Sequence, residues 1–86
     1  MGQREKLLIK ILSGTRDNDI LFDEICGLLH FFKFSSRIKG SHHIFWRDDI
    51  EEIINIQPKN GKAKPYQMKH IRNIIIQYRL GDELDV

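Results

Sequence analysis

The chain has 86 residues, 41% of them hydrophobic and 30% charged, with a formal net charge of +2. This is one small domain with enough apolar residues for a single core, and no apolar run reaches the roughly 18–20 residues of a membrane span. The single cysteine, Cys26, excludes an internal disulfide. It sits among Ile25, Leu28 and Leu29 as a small core residue, and its isolation fits a reducing cytoplasm.

In chain order, Glu5 to Leu12 places Leu7, Leu8, Ile11 and Leu12 on one helical face. The apolar run Leu7-Leu8-Ile9 breaks at Lys10, so no signal peptide is expected. Lys6 stands where a myristoylation signal starting at Met1-Gly2 wants Ser or Thr. Ser13 to Asp19 is polar and rich in breakers, a loop. Ile20 and Phe22 alternate, and Asp23 is the expected N-cap of a helix running to about Phe32. Gly27 inside that helix weakens it by about 1 kcal/mol relative to Ala.

Three strands follow. Phe34 to Lys39 alternates, with Phe34, Ser36 and Ile38 on one face; His42 to Arg47 is aromatic and β-branched; Ile53 to Gln57 is the third. Lys39-Gly40 and Asp48-Asp49 make short turns between them, which implies an antiparallel meander. Lys59-Asn60-Gly61-Lys62 is a further turn. Pro65 opens a last helix whose stripe is Met68, Ile71, Ile74, Ile75 and Tyr78, with Gly81 the expected C-cap. The result is a two-layer α+β domain, its sheet covered by helices on one face. Residues 1–19 read as an N-terminal helix and loop extension, 20–81 as the domain and 82–86 as an acidic tail.

Charge is segregated. From Ile53 to Gly81 there is no Asp or Glu, while Lys59, Lys62, Lys64, Lys69, Arg72 and Arg79 are present. Such an arrangement can make a basic face on a nearly neutral protein; the alternative is a solvated helix and loop with ordinary lysines. Earlier in the chain, Gly40-Ser41-His42-His43-Ile44-Phe45 is flanked by Arg37, Lys39 and Arg47. Histidine is the side chain whose unperturbed pKa lies near neutrality, so it exchanges protons at cellular pH. Cations around a proton-transfer group suit an anionic substrate. In a strand, adjacent side chains point to opposite faces. Ser41, His43 and Phe45 therefore share one face, and His42, Ile44 and Trp46 the other. Both sets hold a large apolar residue, so alternation leaves open which is buried. His30, His42, His43 and His70 lack metal-ligand spacing, so neither a metal nor another cofactor is expected.

The element order, with Gly-Ser-His-His-Ile-Phe opening the second strand, resembles the HicA toxins. The likeness covers roughly Ile20 to Leu80 and includes Arg37-Ile38-Lys39, the Ile53–Pro58 strand and the Lys-rich approach to the last helix. It implies a double-stranded-RNA-binding-domain-like fold and a cytoplasmic, metal-independent mRNA interferase neutralised by a HicB-like antitoxin. By this resemblance His42 is the catalytic histidine, with Ser41 and His43 as possible supporting residues. Arg37, Lys39, Arg47, Lys59, Lys62, Lys64 and Tyr66 are the candidate RNA contacts. The chain departs from the family twice: Lys33 replaces the glycine that ends the helix before the first strand, and Lys59-Asn60 replaces a loop histidine. The alternative is a non-catalytic RNA-binding module on the same fold, which has no need for His42 to titrate.

Overall fold

In a computed structural model, which describes residues 2–84, the first helix, α1, spans Gln3–Ser13 and the second, α2, Phe22–Phe31. Three strands follow, β1 (Ser35–Lys39), β2 (His42–Arg47) and β3 (Ile50–Ile56), then a two-residue ribbon of β4 (Pro58–Lys59) and β5 (Lys62–Ala63). The chain ends on α3 (Pro65–Gln77) and a 3-10 segment, Leu80–Leu84. Asp85 and Val86 of the expected acidic tail lie outside the described residues. No helix among the described residues is long and apolar enough to cross a membrane.

The main sheet is antiparallel in the order β1-β2-β3. Its inner face carries Phe45 from β2 and Ile54 and Ile56 from β3, all buried. The helices close that face with Ile25, Leu28 and Leu29 from α2 and Met68, Ile71, Ile74 and Ile75 from α3. Removing each such side chain from water contributes about 1.5–3 kcal/mol. Leu8 and Ile11 of α1 belong to the same core, so the N-terminal helix is part of the packed unit rather than an appendage. Arg72 on α3 holds it there, donating to the Ile11 carbonyl at 3.3 Å and to both carboxylate oxygens of Asp17 at 2.7 and 3.2 Å.

Local chemistry explains most element boundaries. Pro65 opens α3, where a missing N–H costs nothing. Asn60 and Gly61 both have positive φ, 54° and 78°, as a type I′ turn between β4 and β5 requires. This hairpin packs on residues 20–22: Ala63 N–H donates to Ile20 O and Phe22 N–H to Gly61 O, each at 2.9 Å.

Two caps differ from the sequence expectation. Asp23 lies inside α2; the N-cap is Leu21, whose N–H is satisfied by the Glu24 carboxylate at 3.1 Å. Gly81 does not end α3; Arg79 takes the left-handed position with φ 55°, and Gly81 sits in the 3-10 segment beyond it.

Candidate nucleic-acid interface

Pairing between β1 and β2 sets Lys39 opposite His42, Arg37 opposite Ile44 and Ser35 opposite Trp46. Cross-strand partners share a face. Phe45 and His43 point inward, so the outer face carries His42, Ile44 and Trp46 with Lys39 and Arg37 beside them. Among the described residues no helix covers this side, and His42, Lys39 and Arg37 are exposed. His43 faces the helices instead, its ring edge-on to Phe22 with centroids 4.8 Å apart. Of the two histidines, only His42 is open to solvent on the basic face.

Its approach is shaped by the turn before it. Gly40 has φ 62°, the first central position of a two-residue type II′ hairpin. That turn lifts Ser41 to the sheet edge next to β3. From β3, Asn55 lies on the outer face, its Oδ1 3.0 Å from His42 Nδ1. Gln57, just past the strand, donates from Nε2 to Ser41 Oγ at 2.9 Å, and the same nitrogen lies 3.3 Å from His42 Nε2. Lys64 completes the group, donating to Gln57 Oε1 at 3.4 Å. Lys39, Ser41, His42, Asn55, Gln57 and Lys64 thus form one polar cluster.

A hollow of about 480 Å³ adjoins it, lined by Gln57, Pro58, Lys59, Lys64, Pro65 and Tyr66, a volume in the range of ordinary ligand sites. Tyr66 is 68% exposed at its rim, so its ring is free to stack. A second hollow continues from Lys59 and Lys64 to Lys62 and Asn18. Lys62 lies 3.6 Å from Asp19. The Asp19 carboxyl is held below the usual carboxylate range mainly by the Arg16 hydrogen bond and then by the Lys10 charge, with Lys62 contributing less. Seven cationic or aromatic positions were expected to meet nucleic acid, and Lys39, Lys59, Lys64 and Tyr66 surround His42 or its hollow. Arg37 stands one cross-strand row away, and Lys62 at the far end.

Arg47 departs from that expectation. Its guanidinium is bonded to Asp49 at 2.7 and 3.1 Å, to Glu83 at 2.9 and 3.1 Å and to the Phe32 carbonyl at 2.8 Å. The hydrogen bond with Glu83 is the chief reason its pKa is raised above the ordinary arginine value. These bonds occupy its donors, so Arg47 is a structural anchor joining the α2 end, the β2–β3 turn and the C-terminal segment. Trp46 is half-buried on the outer face.

Asn55 and Gln57 were not singled out from the sequence, although both are polar positions alternating with Ile54 and Ile56. Between Phe45 and Arg47 the register shifts: Arg47 pairs with Ile50 but Phe45 with Ile54. Counting back from the two-residue turn would set Asn55 opposite His42. The shift advances β3 by two residues and brings Gln57 there. Among the described residues no three of His, Cys, Asp and Glu gather as a metal ion would need. Comparison of the chain with protein-family models, with curated proteins and with solved structures finds no match.

Proposed function

We propose that this chain is a metal-independent endoribonuclease of the HicA type, the toxin of a toxin–antitoxin pair, working on mRNA in the cytoplasm. On this reading its sheet and helices are a variant of the double-stranded-RNA-binding-domain fold. One observation carries the proposal: His42 stands on the uncovered face of the sheet with Lys39 directly opposite and Lys64 reached through Gln57.

The chemistry follows from RNA itself. His42 takes the proton of a ribose 2′-OH, and the oxygen attacks the adjacent phosphorus. The P–O2′ bond forms as the P–O5′ bond breaks, and the departing 5′ oxygen takes up a proton. Products are a 2′,3′-cyclic phosphate and a 5′-hydroxyl end. Lys39 and Lys64 balance the charge that builds on the phosphate oxygens, while Lys59 and Tyr66 hold the neighbouring nucleotide by its phosphate and base. A HicB-like antitoxin would silence the enzyme by covering the same face, where an acidic surface meets exposed lysines.

The test is cleavage of a structured mRNA fragment by purified protein. His42→Ala is expected to lose about 100- to 10,000-fold in rate with an unchanged circular dichroism spectrum, and a chelator is expected to leave the wild-type rate unaltered. A variant that cuts at the wild-type rate removes His42 from the mechanism. Wild-type protein that binds RNA tightly and leaves it whole favours the alternative, a non-catalytic RNA-binding module.

A further inference from the structure

We infer that Gln57 and Asn55 are positioning residues that hold neutral His42 as the tautomer with its proton on Nδ1, leaving Nε2 as the basic atom, and that Lys64 sets this arrangement through Gln57. The role given to the tautomer in catalysis rests on the reading of His42 as the base; the tautomer itself does not.

The Lys64 ammonium group can only donate. The Gln57 atom 3.4 Å from Lys64 Nζ is therefore the amide oxygen, and a flipped amide would set NH₂ against NH₃⁺. With the oxygen fixed, Gln57 Nε2 faces Ser41 Oγ and His42 Nε2, and its two hydrogens have two acceptors at 2.9 and 3.3 Å. An N–H pointing at a ring nitrogen needs a lone pair there, so His42 Nε2 is unprotonated. In a neutral imidazole the proton then lies on Nδ1. There it meets Asn55 Oδ1 at 3.0 Å, the carbonyl end of that amide. The opposite tautomer would put two N–H groups face to face at Nε2 and leave Asn55 with its acceptor unused.

Protonation at Nε2 forces the Gln57 amide away from the ring, because its N–H would then face another N–H. The charged groups facing His42 are Lys39 on β1 and, through Gln57, Lys64 before α3; β3 and its end contribute the neutral amides Asn55 and Gln57.

The test uses the full chain, with imidazole nitrogens resolved by ¹⁵N NMR at a pH where His42 is neutral. The wild-type ring is expected to show a protonated Nδ1 and a pyridine-like Nε2. In Gln57→Glu a carboxylate accepts from Nε2–H⁺. His42 titration and the acid limb of the kcat/KM profile are then expected to move together to higher pH, by about one unit. Asn55→Leu, which keeps the Gln57 donor at Nε2, is expected to preserve the tautomer, free the ring to rotate and lower kcat with little change in KM. Both positions lie on the outer face away from the core, and amide dispersion checks that each variant is folded. A wild-type ring protonated on Nε2, or a Gln57→Glu protein with an unmoved His42 titration, overturns the inference. If the ring has the expected tautomer in a protein that cuts no RNA, the inference stands and the nuclease reading falls. If His42→Ala abolishes cutting while the wild-type proton sits on Nε2, the nuclease reading stands and the inference falls.

Discussion

His42 and His43 are the same side chain one residue apart, and the sheet gives them opposite surroundings. His43 packs edge-on against Phe22 beneath the sheet, while His42 lies among amides and lysines above it. Cys26 shows the same dependence on surroundings. Burial, with some help from the Asp23 charge, pushes its thiol up to about 11. The thiolate is the nucleophile, so at pH 8 Cys26 should react with iodoacetamide roughly 100-fold more slowly than a free cysteine. The sign is set by the raised value: the rate should climb about tenfold per pH unit and level off only above about pH 11. Alkylation at the free-cysteine rate, measured by mass spectrometry in folded protein, would mean that the α2 face opens readily.

Helix ends and turns decide how the elements meet. Lys33 has φ 68° and stands one residue past the α2 cap, where Phe34 N–H donates to Leu29 O and Lys33 N–H to His30 O. Those two bonds make a Schellman motif, with lysine tolerating the left-handed backbone that glycine adopts without strain. The motif turns Phe34 into the core and starts β1 beside β2. Gly27 is the weak point of α2 itself. A Cβ built there meets nothing within 4 Å, and the position is exposed. Gly27→Ala should therefore add about 1 kcal/mol of stability, or about 4–8 °C in Tm for a domain of this size. Calorimetry showing no gain would indicate that the open space beside Gly27 is filled in solution.

For the whole molecule, the placement of charge separates the proposed RNA surface from the residues that hold the fold. Lys39, Lys59 and Lys64 border His42 and its hollow, whereas Arg47 is bonded to Asp49 and Glu83 at the opposite end of β2. Replacing the three lysines by alanine should lower RNA affinity for all sequences alike. It should also flatten the dependence of log K on log salt by about 2, since each phosphate contact on single-stranded RNA contributes roughly 0.7. Arg47→Ala should leave that slope in place and lower the unfolding midpoint, because two carboxylates and the Phe32 carbonyl lose their donor. Filter binding at several salt concentrations distinguishes the two; an unchanged slope in the triple variant would put the RNA on another surface.

The sequence by itself determined the parts of this protein that depend on near neighbours. Apolar spacing specified α1, α2 and α3, the Gly40 turn specified a hairpin and Lys59–Lys62 a further turn, and alternation put His42 and His43 on opposite faces. Each rests on contacts within a few residues, where backbone geometry alone is decisive. Which face is buried was decided only by tertiary structure, because Phe45 and Trp46 are both large and apolar and the choice falls to the helices that cover one side. The same holds for Arg47, whose partner Glu83 lies 36 residues away. It holds again for Gln57, which comes opposite His42 through a register shift that no local pattern announces. Long-range pairing is the property a linear pattern does not encode, and here it selects the residues that surround the candidate base.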